Sequence, residues 1–125
     1  MKLSVVVPVH NGGPDLRACL EAIGRSSRRP DELLVVDDGS TDGAVACASE
    51  YGAKVLCLPD GPHGPAWARN RGAARSTGEV LVFVDADVEI HPDVLERFAR
   101  AFTDDPELAA VFGSYDDHPS APGHV

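Results

Sequence analysis

Apolar positions along the chain fall into two rhythms. Leu3 to Val9, Leu33 to Val36, Lys54 to Leu58 and Val80 to Val84 are short runs rich in β-branched residues. Asp37, Pro59 and Asp85 close the last three, Gly12-Gly13-Pro14 breaks the chain soon after the first, and runs of that length and composition predict strands. Between them the period changes. Leu16, Cys19, Leu20 and Ile23 stand at i, i+3, i+4 and i+7, which is one apolar face of a helix. Pro14 follows Gly12-Gly13 and suits an early helical position. Ser40 or Thr41 can cap a second helix running to about Tyr51, whose Ala-rich face suits close packing on a sheet. A third helix is predicted after Pro59-Asp-Gly-Pro-His-Gly-Pro65, through Ala74. A fourth opens at Pro92 and places Val94, Leu95, Phe98 and Phe102 on its inner side. Val80 to Val84 is apolar throughout, so it predicts a central strand covered on both faces. Leu108 to Phe112 reads as a last strand.

Strand and helix alternate from end to end, which predicts an α/β fold with a mainly parallel sheet of four or five strands flanked by helices. One domain is expected over residues 1–113, with a polar, flexible tail over 114–125. A chain of 125 residues is long enough to bury a core without staples. Ligands of such sheets bind at the carboxyl ends of the strands. That edge is therefore the place to look for chemistry.

Charge narrows the partners. Net charge is −9 and the few Lys and Arg are scattered, so no nucleic-acid partner is expected. A phosphate-bearing substrate would be repelled unless a cation neutralised it locally, and a divalent ion suits that task. Cys19, Cys47 and Cys57 are odd in number and lack metal-ligand spacing; they are expected to be buried apolar residues in a reducing compartment. No apolar run approaches the roughly 20 residues of a membrane span, and the opening run is too short for a signal peptide. The expected location is cytoplasmic.

Three polar clusters follow three predicted strands. Pro8-Val9-His10-Asn11 follows the first, Asp37-Asp38-Gly39-Ser40-Thr41-Asp42 the second, and Asp85-Ala86-Asp87 the fourth. With 13 Asp among 125 residues, about one Asp-x-Asp arises by chance, so position carries more weight than the motif. Two carboxylates at i and i+2 beyond a strand end supply hard oxygen donors suited to Mg²⁺ or Mn²⁺. Such an ion offsets charge on a leaving diphosphate as a Lewis acid. Asp37 and Asp38 can act as an acidic helix cap or accept hydrogen bonds from a base or ribose. His10 is either a turn residue or a surface for base stacking. Arg69 and Arg71 are the nearest cations for phosphates, and helix spacing lets at most one reach the site.

The stretches Val5-Val-Val-Pro-Val-His-Asn11, Val35-Val-Asp-Asp-Gly-Ser-Thr-Asp42, Gly64-Pro-Ala-Trp-Ala-Arg-Asn-Arg-Gly72 and Gly78-Glu-Val-Leu-Val-Phe-Val-Asp-Ala-Asp87 together resemble family 2 glycosyltransferases. The resemblance runs from the N-terminus to about residue 95. It implies the nucleotide-sugar-binding half of a Rossmann-like GT-A fold, and a donor that is a nucleoside-diphosphate sugar, a UDP-sugar first. It places Pro8, His10 and Asn11 beside the nucleobase and Asp38 on the base, with Asp37 nearby. Arg69 and Asn70 line the nucleotide pocket, Asp85 approaches the ribose or the metal's water shell, and Asp87 ligates the metal. His10 stands where Tyr or Phe is commoner in the family, and two glycines follow Asn11 where an acidic residue is common. The family's catalytic domain continues into an acceptor-binding half that carries the general base, and no residue here is a convincing counterpart. Asp116, Asp117 and His118 in the tail are weak candidates. The expectation is a donor-binding portion that turns over little alone, its acceptor unspecified.

Other readings fare worse. Phe83-Val-Asp-Ala-Asp-Val88 resembles the first motif of haloacid-dehalogenase-type phosphatases. That fold and the phosphate-accepting receiver domain both need a late Lys, and none follows Asp87. The turn His10-Asn-Gly-Gly-Pro-Asp15 fails the G-x-G-x-x-G pattern of dinucleotide binding. The serious competitor is a folded, non-catalytic fragment that self-associates through apolar surface.

Overall fold

The computed structural model describes residues 1–110 and residue 113. Element order is β1 (Leu3–Val9), α1 (Gly13–Gly24), β2 (Glu32–Asp37), α2 (Ala44–Glu50), β3 (Lys54–Cys57), α3 (Pro65–Arg75), β4 (Val80–Phe83) and α4 (Val94–Asp104). The four strands form one sheet in the order β3-β2-β1-β4. Every pairing is parallel, with Val9 beside Asp37, Asp37 beside Cys57 and Val6 beside Phe83. The predicted α/β class and parallel sheet are what is found.

Alternation along β1 builds two cores. Leu3, Val5, Val7 and Val9 join Leu16, Cys19, Leu20 and Ile23 of α1, Ala44 and Ala48 of α2, and Leu95 of α4. The opposite face is a smaller cluster of Val6, Leu34, Val36, Leu58 and Ala68 of α3. α3 lies close on β1 and β2 because position 72 is glycine. A Cβ there would stand 2.5 Å from Val6 Cγ1 and 3.0 Å from Val36 Cγ2, and β-branched neighbours have little freedom to yield.

Several expectations need correction. β4 pairs with β1 alone among the described residues, and Leu81 and Phe83 are 36% and 44% exposed. The strand is thus covered on one face only, because α3 sits over β1 and β2 and does not reach across β4. Neither Ser40 nor Thr41 caps α2, which begins at Ala44 after Gly43 in the left-handed region. α4 begins at Val94 rather than Pro92, and buries Leu95 and Ala99, with Val94, Phe98 and Phe102 half-buried against the core. Residues 108–110 carry no strand, and 111–112 lie outside the described residues, as does the tail 114–125 with Asp116, Asp117 and His118. The three cysteines are free, but only Cys19 is buried; Cys47 is half-buried and Cys57 exposed. No helix among the described residues is long and apolar enough to cross a membrane.

The amino edge of the sheet is held by a buried acid. Glu32 Oε1 accepts from the Ser4 hydroxyl at 2.8 Å and from the Thr77 N–H at 2.9 Å, while Lys54 Nζ donates to Oε2 at 3.3 Å. The Gly78 N–H in turn donates to Ser4 Oγ. This network ties the start of β2 to β1 and to the turn before β4. The Thr77 N–H above all, then the Ser4 hydroxyl, holds the Glu32 carboxyl down at about 2 against an ordinary 4.5. A depressed carboxyl stabilises the fold fully above its unfolded value, and that contribution is lost as pH falls from about 4.5 toward 2. Glu32→Gln should lower the thermal midpoint at neutral pH, since its amide presents a donor to a site of donors, at a cost of about 1–3 kcal/mol. Melting followed by circular dichroism from pH 7 to pH 2 tests it: the variant's acid limb should be flatter than the wild type's. Identical acid limbs would remove Glu32 from this role.

Candidate functional site

Because all four strands run the same way, the loops after β1, β2 and β4 emerge at one edge. The first two are knitted together. Asn11 adopts φ +53°, a left-handed conformation that Asn tolerates better than most residues. Its N–H donates to Ser40 Oγ at 2.9 Å, and its Oδ1 accepts from the Thr41 N–H at 2.8 Å. Asp42 Oδ2 accepts from the Gly13 N–H at 2.8 Å, at the start of α1. Ser40, Thr41 and Asp42 therefore bind the neighbouring loop instead of capping α2. The Asn11 side-chain oxygen, on a residue expected among those that bind the nucleotide, is engaged in this junction.

The paired aspartates are turned inward as well. Asp37 is 5% and Asp38 3% exposed. Asp37 Oδ1 accepts from the Ser40 N–H at 3.1 Å. Both oxygens of Asp38 accept from the His63 N–H at 2.9 Å, and Oδ2 also from the Gly64 N–H at 2.8 Å. Asp38, placed on the base by the resemblance, here accepts from backbone N–H groups of the 58–64 loop. The reason is steric and polar together. The loop over residues 58–64 crosses the end of β2 backbone to backbone: a Cβ on Gly61 would stand 2.5 Å from Asp38 Oδ1, and one on Gly39 3.1 Å from the Gly61 carbonyl carbon. Amide groups pressed in this way must find acceptors, and Asp38 supplies them. The sequence showed the Gly- and Pro-rich run but not its partner.

His10 stays at the surface, with its ring fixed from behind. Its Nδ1 lies 2.8 Å from the Asp38 carbonyl oxygen. A carbonyl only accepts, so Nδ1 carries the proton, and Nε2 faces outward as an acceptor. Asn11 Nδ2 lies 3.5 Å from Nε2, too long for a strong hydrogen bond. Pro8 is buried within β1 beside Val36. A second imidazole, that of His63, donates from Nε2 to the Pro59 carbonyl at 2.7 Å and stacks on Trp67 at 5.1 Å between centroids.

Beyond β4, Val84 continues the ladder by donating to the Val6 carbonyl, and a turn closes with the Val88 N–H on the Asp85 carbonyl. Asp85 and Asp87 emerge from this turn, both exposed. Arg69 Nη2 reaches Asp85 Oδ1 at 2.9 Å, with side chains 39% and 51% exposed. Arg71 instead lies 4.8 Å over the Trp67 ring, so one arginine of the pair reaches the acidic turn. Asn70 is exposed on α3. Beneath the turn, the Cys19 thiol points at the Asp85 carbonyl at 3.6 Å. Burial first, then the charges of Asp87, Asp85 and Glu89, push this thiol up to about 12. Cys19 therefore stays protonated and acts as packing and donor, not as a nucleophile. No cluster of three or more His, Cys, Asp or Glu suited to a metal exists among the described residues.

Asp38→Asn tests the inward-facing acid. The variant places an amide N–H₂ against the His63 or Gly64 N–H, leaving a donor unpaired at a cost of about 1–3 kcal/mol. Amide hydrogen exchange at His63 and Gly64 should quicken by roughly tenfold or more, with Val5 to Val7 in β1 little changed. Unaltered protection at those two amides would show that Asp38 does not hold the loop.

Comparison with known proteins places the chain's family and fold. The model of Glycosyl transferase family 2 matches residues 4–123. The uncharacterized glycosyltransferase YibD of Escherichia coli (strain K12) is 38% identical over 112 residues, which are 86% of this chain and 33% of that protein. Glycosyltransferase AglE of Haloferax volcanii is 34% identical over 101 residues, 76% of this chain and 33% of that one. This chain thus spans about a third of the length of these relatives. Among solved structures, S. aureus TarS 1–349 in complex with UDP-GlcNAc superposes with a TM-score of 0.77 at 31% identity, over 83% of this chain and 32% of that one. Glucosyl-3-phosphoglycerate synthase from Mycobacterium tuberculosis, in complex with Mn²⁺, UDP and glucosyl-3-phosphoglycerate, gives 0.63 at 32% identity, over 76% and 37%. The fold is the Rossmann-like, GT-A type, and the chain belongs to glycosyl transferase family 2.

Proposed function

We propose that this chain is the donor-binding portion of a glycosyltransferase, holding a nucleoside-diphosphate sugar with Mg²⁺ or Mn²⁺ for transfer to an acceptor hydroxyl. The observation that carries the reading is the convergence of His10, Arg69, Asp85 and Asp87 around one edge of a parallel sheet. Two solved relatives are bound to UDP-GlcNAc or UDP, which makes a UDP-sugar the first donor to test.

The donor set fits a hard divalent ion. Asp85 and Asp87 present exposed carboxylates from one short turn, and a cationic group already rests on Asp85. Two carboxylates leave a coordination shell incomplete, as suits an ion that shares its shell with phosphate and water. Bound there, the ion would offset charge on the departing diphosphate. Asp87 would ligate it, and Asp85 would serve it or the ribose. Arg69 supplies the cation for phosphate oxygens. The ring of His10, oriented by the Asp38 carbonyl, offers its face to a base, while Pro8 and Asn11 shape the loop beneath. Asp37 and Asp38 act one step back, holding the loops that would wall the base pocket. Asn70, next to Arg69 on α3, would line the nucleotide pocket as the resemblance implies. No described residue is placed as a general base for the acceptor, so turnover by this chain alone is expected to be negligible.

Calorimetry with UDP in the presence and absence of Mn²⁺ tests the reading. Metal-dependent binding is expected, and Asp87→Ala should weaken it by about tenfold or more, the scale of one lost charged contact. Metal-independent binding that survives in Asp87→Ala would sink the site assignment. No binding of UDP, GDP or CDP under any condition would sink the donor reading.

One observation favours a second reading, a non-catalytic module that pairs with itself: the exposed outer face of β4 at Leu81 and Phe83. Sedimentation at rising concentration checks it. Association that Phe83→Asp abolishes would support pairing through β4, whereas a monomer at all concentrations would dismiss it.

A further inference from the structure

Asp85 carries a cation. Arg69 Nη2 sits 2.9 Å from Asp85 Oδ1 through a single contact, and both side chains are substantially exposed. Asp87, two residues on, takes no hydrogen bond or ion pair from the described residues and is exposed as well. The second arginine of the helix is held 4.8 Å over the Trp67 ring, so it does not compete. We propose that Arg69 is an exchange latch: its guanidinium pairs with Asp85 until a donor binds, and would pass from Asp85 to the phosphate oxygens of a diphosphate held there with a divalent ion. The proposal rests on the donor-site reading above and adds to it how the site is kept and released.

Three physical points support an exchange instead of a fixed pair. An exposed ion pair of this kind is weak, so it opens easily. A guanidinium prefers a planar, two-pronged anion, yet here only Oδ1 of Asp85 is engaged, leaving hydrogen-bonding capacity unused. A divalent ion alone would have to displace Arg69 and then rely on two carboxylates, since no larger set of metal-binding side chains exists among the described residues. A diphosphate bound together with the ion would supply both the missing oxygens and a new anion for Arg69. The latch thus discourages metal without nucleotide and favours the two together. By linkage, each then promotes the other by the same factor.

Mn²⁺ titrations followed by electron paramagnetic resonance, with no nucleotide present, isolate the latch. Arg69→Ala should bind Mn²⁺ about two- to fivefold more tightly than wild type, the factor that removal of a weak competing ion pair allows. The same variant should bind UDP in saturating Mn²⁺ about tenfold more weakly, since a charge-assisted contact to phosphate is gone. Arg69→Lys keeps the charge and should stay near wild type in the metal titration. Because the pair is exposed, thermal midpoints of both variants should match the wild type. Mn²⁺ affinity that is unchanged or lower in Arg69→Ala, with wild-type UDP binding still metal-dependent, would overturn the latch alone. Wild-type protein that binds no UDP with Mn²⁺ would overturn the donor-site reading and the latch with it.

Discussion

Parallel pairing on both sides of β1 is the constraint on which the rest of the molecule depends. β1 is buried along its whole length, hydrogen-bonded to β2 on one side and β4 on the other. Parallel strands must leave by the same edge, so the segments after Val9, Asp37 and Phe83 emerge together without any further instruction. Burial then makes the register costly to change, because a one-residue slip would turn Val5 and Val7 from the larger core to the smaller. The site inherits its geometry from that ladder.

What lies on the edge is a division of labour between inward and outward polar groups. Asp37, Asp38, Asn11, Ser40, Thr41 and Asp42 face one another or backbone amides, and their hydrogen bonds turn three separate loops into one surface. His10, Arg69, Asp85 and Asp87 face outward from that surface. The first group supplies the rigidity that fixes the backbone beneath the second. For the donor proposed above, loops set in place beforehand spend no further energy on rearrangement when the ligand arrives, and the change of partner falls on the Arg69 side chain alone. The Glu32 network does comparable work at the opposite edge, where no ligand is expected.

The molecule is uneven in its cover. One face of the sheet lies under α1, α2 and part of α4, while the other carries α3 over β1 and β2. That leaves the outer face of β4 exposed, so a strand with an entirely apolar sequence ends up half in water. An apolar run signals capacity for burial, and whether burial happens depends on which helix lies above it.

Much was legible in the chain itself. The β-branched runs and the i, i+3, i+4 face of Leu16 to Ile23 set the elements, since backbone period and side-chain shape are local properties. Alternation of those elements set the parallel sheet, and with it the edge that gathers His10, the two aspartates after Val36 and Asp85-Ala86-Asp87. Which partners those groups take was decided only by tertiary structure. Nothing near Asp38 in sequence shows that the 58–64 loop crosses it and that amides of that loop donate to its carboxylate. Ser40 and Thr41 look like helix caps, but Asn11 from another loop takes their hydrogen bonds. Arg69 and Arg71 look equivalent, but one finds Asp85 and the other Trp67. For Asp38, Ser40, Thr41 and Arg69 the partner lies outside the local run, and only Arg71 finds its own one turn back on the same helix.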